Sequence, residues 1–590
     1  MISYIENASH TVDGIYIAGR AMNWADGEFH RWGEMQLPPE LVGEAQRAVD
    51  LGGMTERYTF RNPTDRVVTV PAGAAGVWTP FSDDYESAEV CHDARCHAHI
   101  WCGGTAAWVD ARAMNAQPPH LGLALTAGSI TSYAIERRET SNDRGDILLL
   151  TDAFTLAPGE TYTLAWTIFS YESDFFAALR RFPNQVQFTA DTFTFFTDEP
   201  VRIAADGVPM GADTALGYHE TAVRGAICRY QVLPPFETLL RTRCDFIVRH
   251  QQIPDGEFAG AYVIYDNETG ERIHDEACRD HNSGRERIGM GLLIAKYLQS
   301  HPDAALHDSL NAYTAFLLRG YFDESTGEVF NAYPRDNSYR RIYNNAWFAS
   351  YFRELYRLDG NVRWLRCMMG ALRDLYAHGG TRFYPLALEA TDAVRALETA
   401  GLTAERDELM GLLRANGAFI LQNGTHYPAL EVNYEDNIVV PAGMLLVQLY
   451  ELTGELRYLS AAQEHLRLHD IFVGFQPDAR MHGAAIHHWD DHYFGKHGLF
   501  GDTFPHYWST AGALFSARMA AATGSADDLA HARAGMRACL CSFFPDGRAT
   551  CAIVTPRTVN GRPGGFIDPW ANDQDWALYH AMQFDAQFGL

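Results

Sequence analysis

The chain has 590 residues, more than one hydrophobic core normally supports, so we expect two or three domains. It carries 47 Lys plus Arg against 74 Asp plus Glu, and the resulting net charge of −27 argues against nucleic acid or an anionic membrane as the main partner, because its field would repel both. The start of the chain has neither a basic stretch nor a continuous apolar stretch. Ten cysteines are too few for a disulfide framework. From these two observations we expect a soluble cytoplasmic protein.

Residues 1–204 are predicted to form β-structure. Their apolar runs are short, alternating or β-branched, and Gly, Pro, Asn and Asp separate them. The clearest hairpin joins Phe154–Leu156 to the alternating run 162–168 through a turn at 157–160. Many such strands predict an antiparallel β-sandwich, interrupted by one helix at 173–182. Residues 205–234 are predicted to connect this domain to the next.

Residues 91–102 hold three cysteines and three histidines. Zinc sites normally need paired short spacings such as C-x2-C, and these are missing. The alternation instead predicts a strand in which Cys96 faces one way and His97, His99 and Trp101 face the other. We therefore predict neither a metal nor a cofactor.

From Pro235 onward the hydrophobic period changes to 3.6, which predicts helices. We expect twelve, at 235–249, 285–299, 303–319, 344–357, 361–376, 386–399, 403–420, 440–452, 455–468, 505–522, 526–541 and 569–587.

Several predicted helix starts carry capping signals. Ser525-x-x-Asp528 resembles a capping box, and Asp568-Pro569 places an N-cap before a first-turn proline. Pro441 likewise suits a first turn, so its helix is expected to begin at residue 439 or 440.

The connections between the predicted helices alternate in length. Two or three residues join helix two to three, four to five, six to seven, eight to nine and ten to eleven, whereas the other six connections run from nine to 36 residues. Hairpins closed in a ring would place all short turns on one rim and all long loops on the other. Because long loops over a rigid scaffold usually carry function, we predict a six-hairpin ring over 235–590 with its site at the long-loop rim.

The long loops concentrate aromatic, amide, carboxylate and histidine side chains. This mixture suits sugars, whose C–H faces stack on aromatic rings while their hydroxyls need polar partners. The predicted catalytic residues are Glu286, Glu435, Asp573, His281, Tyr343 and His506. The predicted substrate-binding residues are Arg285, Arg287, Asn344, Asn345, Trp347, Tyr434, His488, Trp489, Asp490, Asp502, Tyr507, Trp508 and Asn572.

Single motifs also have purely structural interpretations. Arg285 and Arg287 could form an ion-pair cluster around Glu286, Glu435 could cap its helix, and Trp576 could anchor the core. Their common position at one rim favours the functional interpretation.

On these features the chain resembles the six-hairpin glycosidase superfamily, whose glycoside hydrolases and polysaccharide lyases combine an N-terminal β-sandwich with an (α/α)6 barrel. The resemblance covers nearly the whole chain in architecture. It implies a site in the cup where the inner helices begin, and hence that the even-numbered helices are the inner ones. It assigns no catalytic residue by name.

Two reactions fit this prediction. The first is hydrolysis by two carboxyl groups, for which Glu435 with Asp573 or Glu286 is the preferred pair. Since the (α/α)6 hydrolases resemble one another in using a water-activating base, inversion is expected, with the carboxyls about 6.5 to 9.5 Å apart. The alternative is a lyase that removes the proton α to a uronate carboxylate, with Tyr or His as base and acid and with Asn and Arg neutralising the carboxylate.

Arginines at the rim suggest an acidic sugar under either reaction, because the guanidinium fork matches a carboxylate. A cytoplasmic enzyme meets imported oligosaccharides, so we expect action on the ends of short chains. The expected partner is an oligosaccharide substrate, with no nucleic acid or membrane, and a homo-oligomer is compatible with the sequence. A sugar-binding protein without activity is disfavoured, because so many ionisable groups would be gathered without a task.

Overall fold

The computed structural model describes residues 1–27, 29–138, 144–273, 287–384, 388–429, 433–485, 495–499, 501–503 and 508–590, with only the backbone of Trp508. Within these ranges, no helix combines the length and the apolar character that crossing a bilayer requires.

The larger strands lie in the first 240 residues. They are β1 Ile2–Glu6, β2 Val12–Ile17, β3 Met35–Gln36, β4 Val42–Asp50, β5 Gly53–Arg61, β6 Val68–Val70, β7 Gly76–Trp78, β8 Cys96–Trp101, β9 Trp108–Ala113, β10 His120–Ala127, β11 Ile130–Glu136, β12 Asp146–Thr151, β13 Phe154–Leu156, β14 Thr161–Tyr171, β15 Phe188–Thr189, β16 Thr194–Phe196, β17 Ala204–Ala205, β18 Val208–Pro209, β19 Gly217–Val223 and β20 Ala226–Leu233. Shorter strands follow among the helices: β21 Ile264–Asp266, β22 Glu271–Ile273, β23 Ile553–Val554, β24 Thr558–Val559, β25 Arg562–Pro563, β26 Phe566–Ile567 and β27 Trp570–Ala571.

Two sheets, each with six strands among the described residues, share one apolar core. The first has the order β4, β5, β14, β10, β9, β8, and the second β25, β24, β11, β12, β7, β3. Leu123 and Trp166 of the first sheet and Tyr133 and Ile147 of the second belong to this core. β24 joins β11 in parallel, so residues near the C-terminus complete the second sheet.

The predicted hairpin between Phe154–Leu156 and the run 162–168 is wrong. β13 pairs with β6, whereas β14 pairs with β5 on one side and β10 on the other. The turn itself forms, since Glu160 N–H donates to Ala157 O at 3.0 Å. Because β14 is a central strand with both edges occupied, no edge is left for β13.

The helices are α1 Ala88–Ala94, α2 Phe175–Leu179, α3 Phe236–Phe246, α4 Ile288–Leu298, α5 Ala304–Gly320, α6 Asn344–Asp359, α7 Val362–Ala377, α8 Ala390–Thr399, α9 Thr403–Asn423, α10 Asp436–Thr453, α11 Leu456–Phe472, α12 Trp508–Thr523, α13 Ala526–Ala538 and α14 Asp575–Phe588. A π-helical turn, Ile247–Gln251, continues α3, and 3-10 turns lie at Gly380–Arg382 and Cys539–Ser542. All twelve predicted helices are present, as α3 to α14.

Six of these helices close a ring. α4 contacts α6, the contacts continue through α8, α10, α12 and α14, and α14 contacts α4 again. The helices α5, α7, α9, α11 and α13 each pack on the helix before them. α4 is buried almost all round, as an inner helix must be, whereas α7 buries one stripe that includes Leu365, Met368 and Leu372. The predicted inner set is therefore confirmed.

Two predicted helix starts are wrong. α10 begins at Asp436, so Pro441 lies inside the helix, where it removes only the bond to Asn437 O near the N-terminal end. α14 begins at Asp575 and not after Asp568. The Asp568 carboxylate instead accepts the backbone N–H groups of Trp570 and Lys496, so it stabilises a loop.

The predicted cap at Ser525 is confirmed. Its side chain accepts the backbone N–H of Asp528 at 3.3 Å. Ser525→Ala should therefore lower the free energy of unfolding by about 1 kcal/mol, measured by chemical denaturation. Ser525→Asp keeps an acceptor at the N-cap and should stay close to the wild type. An equal loss in both variants would exclude the cap as the cause.

Candidate active site

The starts of several inner helices lie together at one end of the ring. Trp347 in the first turn of α6 packs against Trp576 of α14, with the ring centroids 5.4 Å apart. Thr510 Oγ1 at the start of α12 lies 2.6 Å from His580 Nδ1 of α14. The starts of α6, α12 and α14 therefore meet at one end of the ring, which we call the ring mouth.

Several predicted site residues lie outside the described residues. These are His281, Arg285, Glu286, His488, Trp489, Asp490, His506, Tyr507 and the side chain of Trp508. The described part of the predicted site lies on α4, α6, α10 and α14 and in the described residues directly before them.

An arginine and an amide meet between α4 and α14. Arg287 Nη1 donates to Asn572 Oδ1 at 3.1 Å, and both side chains are buried. Asp573 follows Asn572 and is also buried. Asp575 is already paired, because Arg243 binds both of its carboxylate oxygens at 2.6 and 2.7 Å. This corner therefore brings a guanidinium from the start of α4 next to an amide and a carboxylate that precede α14.

The second corner is the start of α6. The Tyr343 ring lies 5.0 Å from the Trp347 ring, and the Arg341 guanidinium lies 4.5 Å from the centre of the Tyr343 ring. Asn344 Nδ2 approaches Asn331 Oδ1 at 3.4 Å. Asn344 Oδ1 is buried and has no hydrogen-bond partner within the described ranges. Such an orphaned acceptor costs free energy unless something binds it, so it marks a place for a ligand donor.

The third corner is the start of α10. Glu435 is at the N-cap position, fully buried, and its carbonyl accepts the backbone N–H groups of Ile438 and Val439. The next residue, Asp436, accepts a hydrogen bond from His469 Nδ1 of α11 at 2.8 Å. Burial alone would lower the pKa of His469, but the Asp436 carboxylate outweighs it and leaves that pKa raised.

The raised pKa of His469 predicts a pH-dependent contribution to stability. A histidine whose pKa is higher in the folded than in the unfolded chain stabilises the fold below the unfolded value of about 6.5, and this contribution is lost as the pH rises through the folded value. The free energy of unfolding of Asp436→Asn should therefore fall furthest below the wild type in mildly acidic buffer and approach it in alkaline buffer. Asp546→Asn, an exposed carboxylate paired with Arg548, is the control and should show no such trend.

Three predicted substrate-binding residues have other structural partners. Asn345 Nδ2 donates to Ala371 O and to Asp374 of α7, which places this amide towards the outer helices. Tyr434 donates its hydroxyl to Met114 O, at the boundary with the sheets. Asp502 accepts hydrogen bonds from Tyr133 and Arg144.

A fully buried ion cluster joins the sheets to the loop before α12. Arg144 binds Asp502 through Nε and Nη2 at 3.2 and 2.8 Å, and its Nη1 binds Asp83. Tyr133 also donates to Asp502 at 2.6 Å. Burial raises the pKa of Asp83, with Arg144 opposing that rise. We call Asp83, Arg144, Asp502 and Tyr133 the buried ion cluster.

Sequence reasoning missed several residues near the ring mouth. Asn331 lies 13 residues before its partner Asn344, and His469 lies 33 residues after its partner Asp436. Neither belongs to a recognisable motif. Tyr85 and His97 form another such pair, with the hydroxyl 2.6 Å from His97 Nδ1. The strand alternation predicts that His97 and His99 lie on the same face of β8. It does not show that this face packs against the helices, where His97 meets Phe472 of α11.

The corners at α4, α6 and α14 supply one kind of chemistry. Arg287 and Arg341 provide cationic forks, Asn344 and Asn572 provide amides, and Tyr343 provides a phenol. Arginine and amide groups stabilise a carboxylate and the charge that develops on it, and a phenol can carry a proton. These groups are therefore chemically suited to binding a carboxylate and to exchanging a proton.

The chain is similar to solved carbohydrate-active enzymes. No protein-family model and no curated protein matches it. A solved polysaccharide lyase matches over 100% of this chain and 100% of its own, with a TM-score of 0.91 and 30% sequence identity. A family 76 glycoside hydrolase from a bovine Bacteroides thetaiotaomicron strain covers 83% of this chain and 99% of its own, at a TM-score of 0.40 and 10% identity. An unsaturated glucuronyl hydrolase specific for heparin covers 60% and 96%, at a TM-score of 0.39 and 12% identity. Because the likeness to the lyase extends over both whole chains at 30% identity, this chain belongs to the six-hairpin glycosidase superfamily.

Proposed function

We propose that this protein is a lyase that cleaves uronate-containing glycans by β-elimination at the ring mouth. The observation that carries the proposal is the similarity to a polysaccharide lyase over the whole of both chains, with a TM-score of 0.91. The tyrosine, arginine and amide groups at the starts of α4, α6 and α14 support it, because elimination needs these groups and no carboxylate pair.

The proposal includes the architecture on which the site is built. The two sheets with their shared core are a β-sandwich, predicted to span 1–204, and the closed ring of helix pairs is an (α/α)6 barrel, predicted to span 235–590. The closed cycle of contacts from α4 through α14 back to α4 supports the barrel. In such a barrel the ring mouth is the cup that receives the glycan.

In this mechanism the acidic sugar's carboxylate lies against Arg287 and the amide of Asn572, and a sugar hydroxyl donates to Asn344 Oδ1. Neutralising that carboxylate makes the adjacent C–H more acidic, because the negative charge that develops on the sugar is stabilised. Tyr343 takes the proton as its phenolate. The electron pair of the C–H bond forms a carbon–carbon double bond, and the glycosidic C–O bond on the next carbon breaks. The leaving oxygen takes up the proton that Tyr343 removed, which restores the phenolate.

A second candidate, hydrolysis, is favoured by a different observation. Glu435 and Asp573 are both fully buried carboxyl groups at the starts of inner helices. Two carboxyl groups of this kind are what an inverting hydrolase uses, one as acid and one as base. Under this candidate Glu435→Gln should abolish turnover, whereas near-normal turnover would remove Glu435 from the mechanism.

One experiment separates the two reactions. The full chain is incubated with short uronate-containing oligosaccharides while absorbance near 235 nm, roughly where the unsaturated product absorbs, and new reducing ends are followed together. Elimination raises both signals, and hydrolysis raises only the second. New reducing ends without absorbance would overturn the lyase. Release of the end sugar first from short chains would support the proposed action on chain ends.

A further inference from the structure

A cavity of about 560 Å³ lies where the π-helical turn after α3 meets the β21–β22 hairpin. Its lining includes His250, Asp255, Tyr265, Glu271 and Arg272. This volume falls within the few hundred to about 1,000 Å³ that is usual for sites that bind small molecules. None of these residues belongs to the ring mouth described above.

One wall of the cavity is aromatic. Tyr265 is half-buried, and its ring meets Phe246 edge-on at 5.1 Å and His250 at 5.6 Å. Phe246 and His250 also contact each other, with 4.5 Å between centroids. Burial, followed by the nearby Arg272 and Arg249, lowers the pKa of His250, so its ring is neutral at pH 7 and can donate and accept.

The other wall is polar. Arg272 is held by a hydrogen bond from its Nη2 to Arg249 O at 2.8 Å. Asp255 and Glu271 are exposed, and neither carboxylate has a side-chain partner among the described residues. No group of His, Cys, Asp and Glu in the described part of the chain is arranged to hold a metal ion. A ligand with several hydroxyls set apart from one another fits these carboxylates better than a single cation.

The cavity is one strand away from the ring mouth. β21 pairs with β27, which places Tyr265 opposite Ala571, and Asn572 follows directly. Gln251, at the end of the π-helical turn, donates to Val263 O at 2.8 Å and so ties the turn to the same strand. The cavity and the Arg287 and Asn572 corner are therefore neighbours across the β21–β27 pair.

We propose that this cavity is a sugar-binding subsite that holds a residue of the glycan at a distance from the cleaved bond. The C–H face of the sugar lies on Tyr265, and its hydroxyls bond to Asp255, Glu271 and Arg272. Aromatic stacking combined with charged hydrogen-bond partners is the chemistry that sugars require. The assignment rests on the proposed function of the ring mouth, because the subsite extends the binding of the same chain.

The test measures glycan affinity as a function of chain length. Size-fractionated hyaluronan oligosaccharides, short and long, are titrated by calorimetry into the full chain, into Tyr265→Ala and into the double variant Asp255→Asn/Glu271→Gln. Both altered carboxylates are exposed, so the double variant should fold normally even if Tyr265→Ala does not. Glu257→Gln, a nearby exposed carboxylate outside the lining, is the matched control.

We expect the long oligosaccharides to bind more tightly than the short ones, and the double variant to lose about tenfold in affinity for the long ones. If the long oligosaccharides bind the double variant as they bind the control, the subsite is overturned. If the variants lose affinity but no chain is cleaved, the subsite stands and the proposed reaction fails. If no glycan binds the wild type, both proposals fail.

Discussion

Tyr343→Phe is expected to lower the turnover number for elimination by about 10²- to 10⁴-fold, the usual contribution of a general acid or base. Phenylalanine keeps the ring that packs 5.0 Å from Trp347 and beside Arg341, so only the phenolic hydroxyl group is lost. The dissociation constant for the oligosaccharide should change little. The absorbance assay gives the rate, and calorimetry gives the binding constant.

The matched control is Tyr339→Phe. Tyr339 lies four residues earlier in the same loop and is 61% exposed, so it should retain wild-type turnover. If Tyr343 is only structural, Tyr343→Phe should lower the thermal midpoint of unfolding along with the turnover number. If Tyr343 transfers the proton, the substitution should lower the turnover number and leave the midpoint unchanged. Turnover of Tyr343→Phe within a few-fold of the wild type would exclude Tyr343 as the base or acid.

The helical part of the fold could be predicted from the sequence because its signals are local. α4 is apolar on all sides and α7 on one stripe, so each sequence already indicates an inner or an outer place. The alternation of short turns with long loops then leaves the closed ring as the simplest arrangement. The boundaries were less predictable, since Asp568 and Pro569 carry a helix-start signal that a loop uses instead.

Strand pairing could not be predicted in the same way. The turn at 157–160 is strong, yet the strands on either side of it do not pair, because β14 finds longer partners on both edges. Pairing depends on which strands compete for an edge, and that competition involves residues far apart in sequence. The parallel addition of β24 to β11 is another long-range choice without a local signal.

For the candidate site, the sequence indicated the rim but not which residues turn towards it. Asn344 and Asn345 are adjacent and chemically identical, yet only Asn345 is tied to α7. Consecutive helical positions point about 100° apart, so the exact phase of α6 decides which amide is available. The sequence predicts Asp502 to bind substrate, whereas Arg144, more than 350 residues away in sequence, binds the Asp502 carboxylate.

Arg144→Met is expected to lower the free energy of unfolding by about 3 to 5 kcal/mol, because it leaves buried carboxylates without their cation. Arg144, Asp83 and Asp502 are each about 1% exposed or less, so water cannot replace the lost charge. Arg66→Met, which removes an exposed arginine 3.7 Å from Glu40, is the control and should change stability by less than about 1 kcal/mol.

The pH dependence identifies the cause of that loss. Burial already raises the pKa of Asp83, and removing Arg144 takes away the charge that opposes the rise. A carboxyl group whose pKa is higher in the folded than in the unfolded chain destabilises the fold above the unfolded value of about 3.9, and the penalty disappears as the group is protonated. The deficit of Arg144→Met should therefore be largest at neutral pH and shrink towards pH 4.

The deficit should also shrink at neutral pH in the triple variant Arg144→Met/Asp83→Asn/Asp502→Asn, where the cluster holds no buried charge. A deficit that is equal at both pH values, and that the triple variant does not relieve, would mean that Arg144 stabilises the junction between sheets and ring by packing and not by charge.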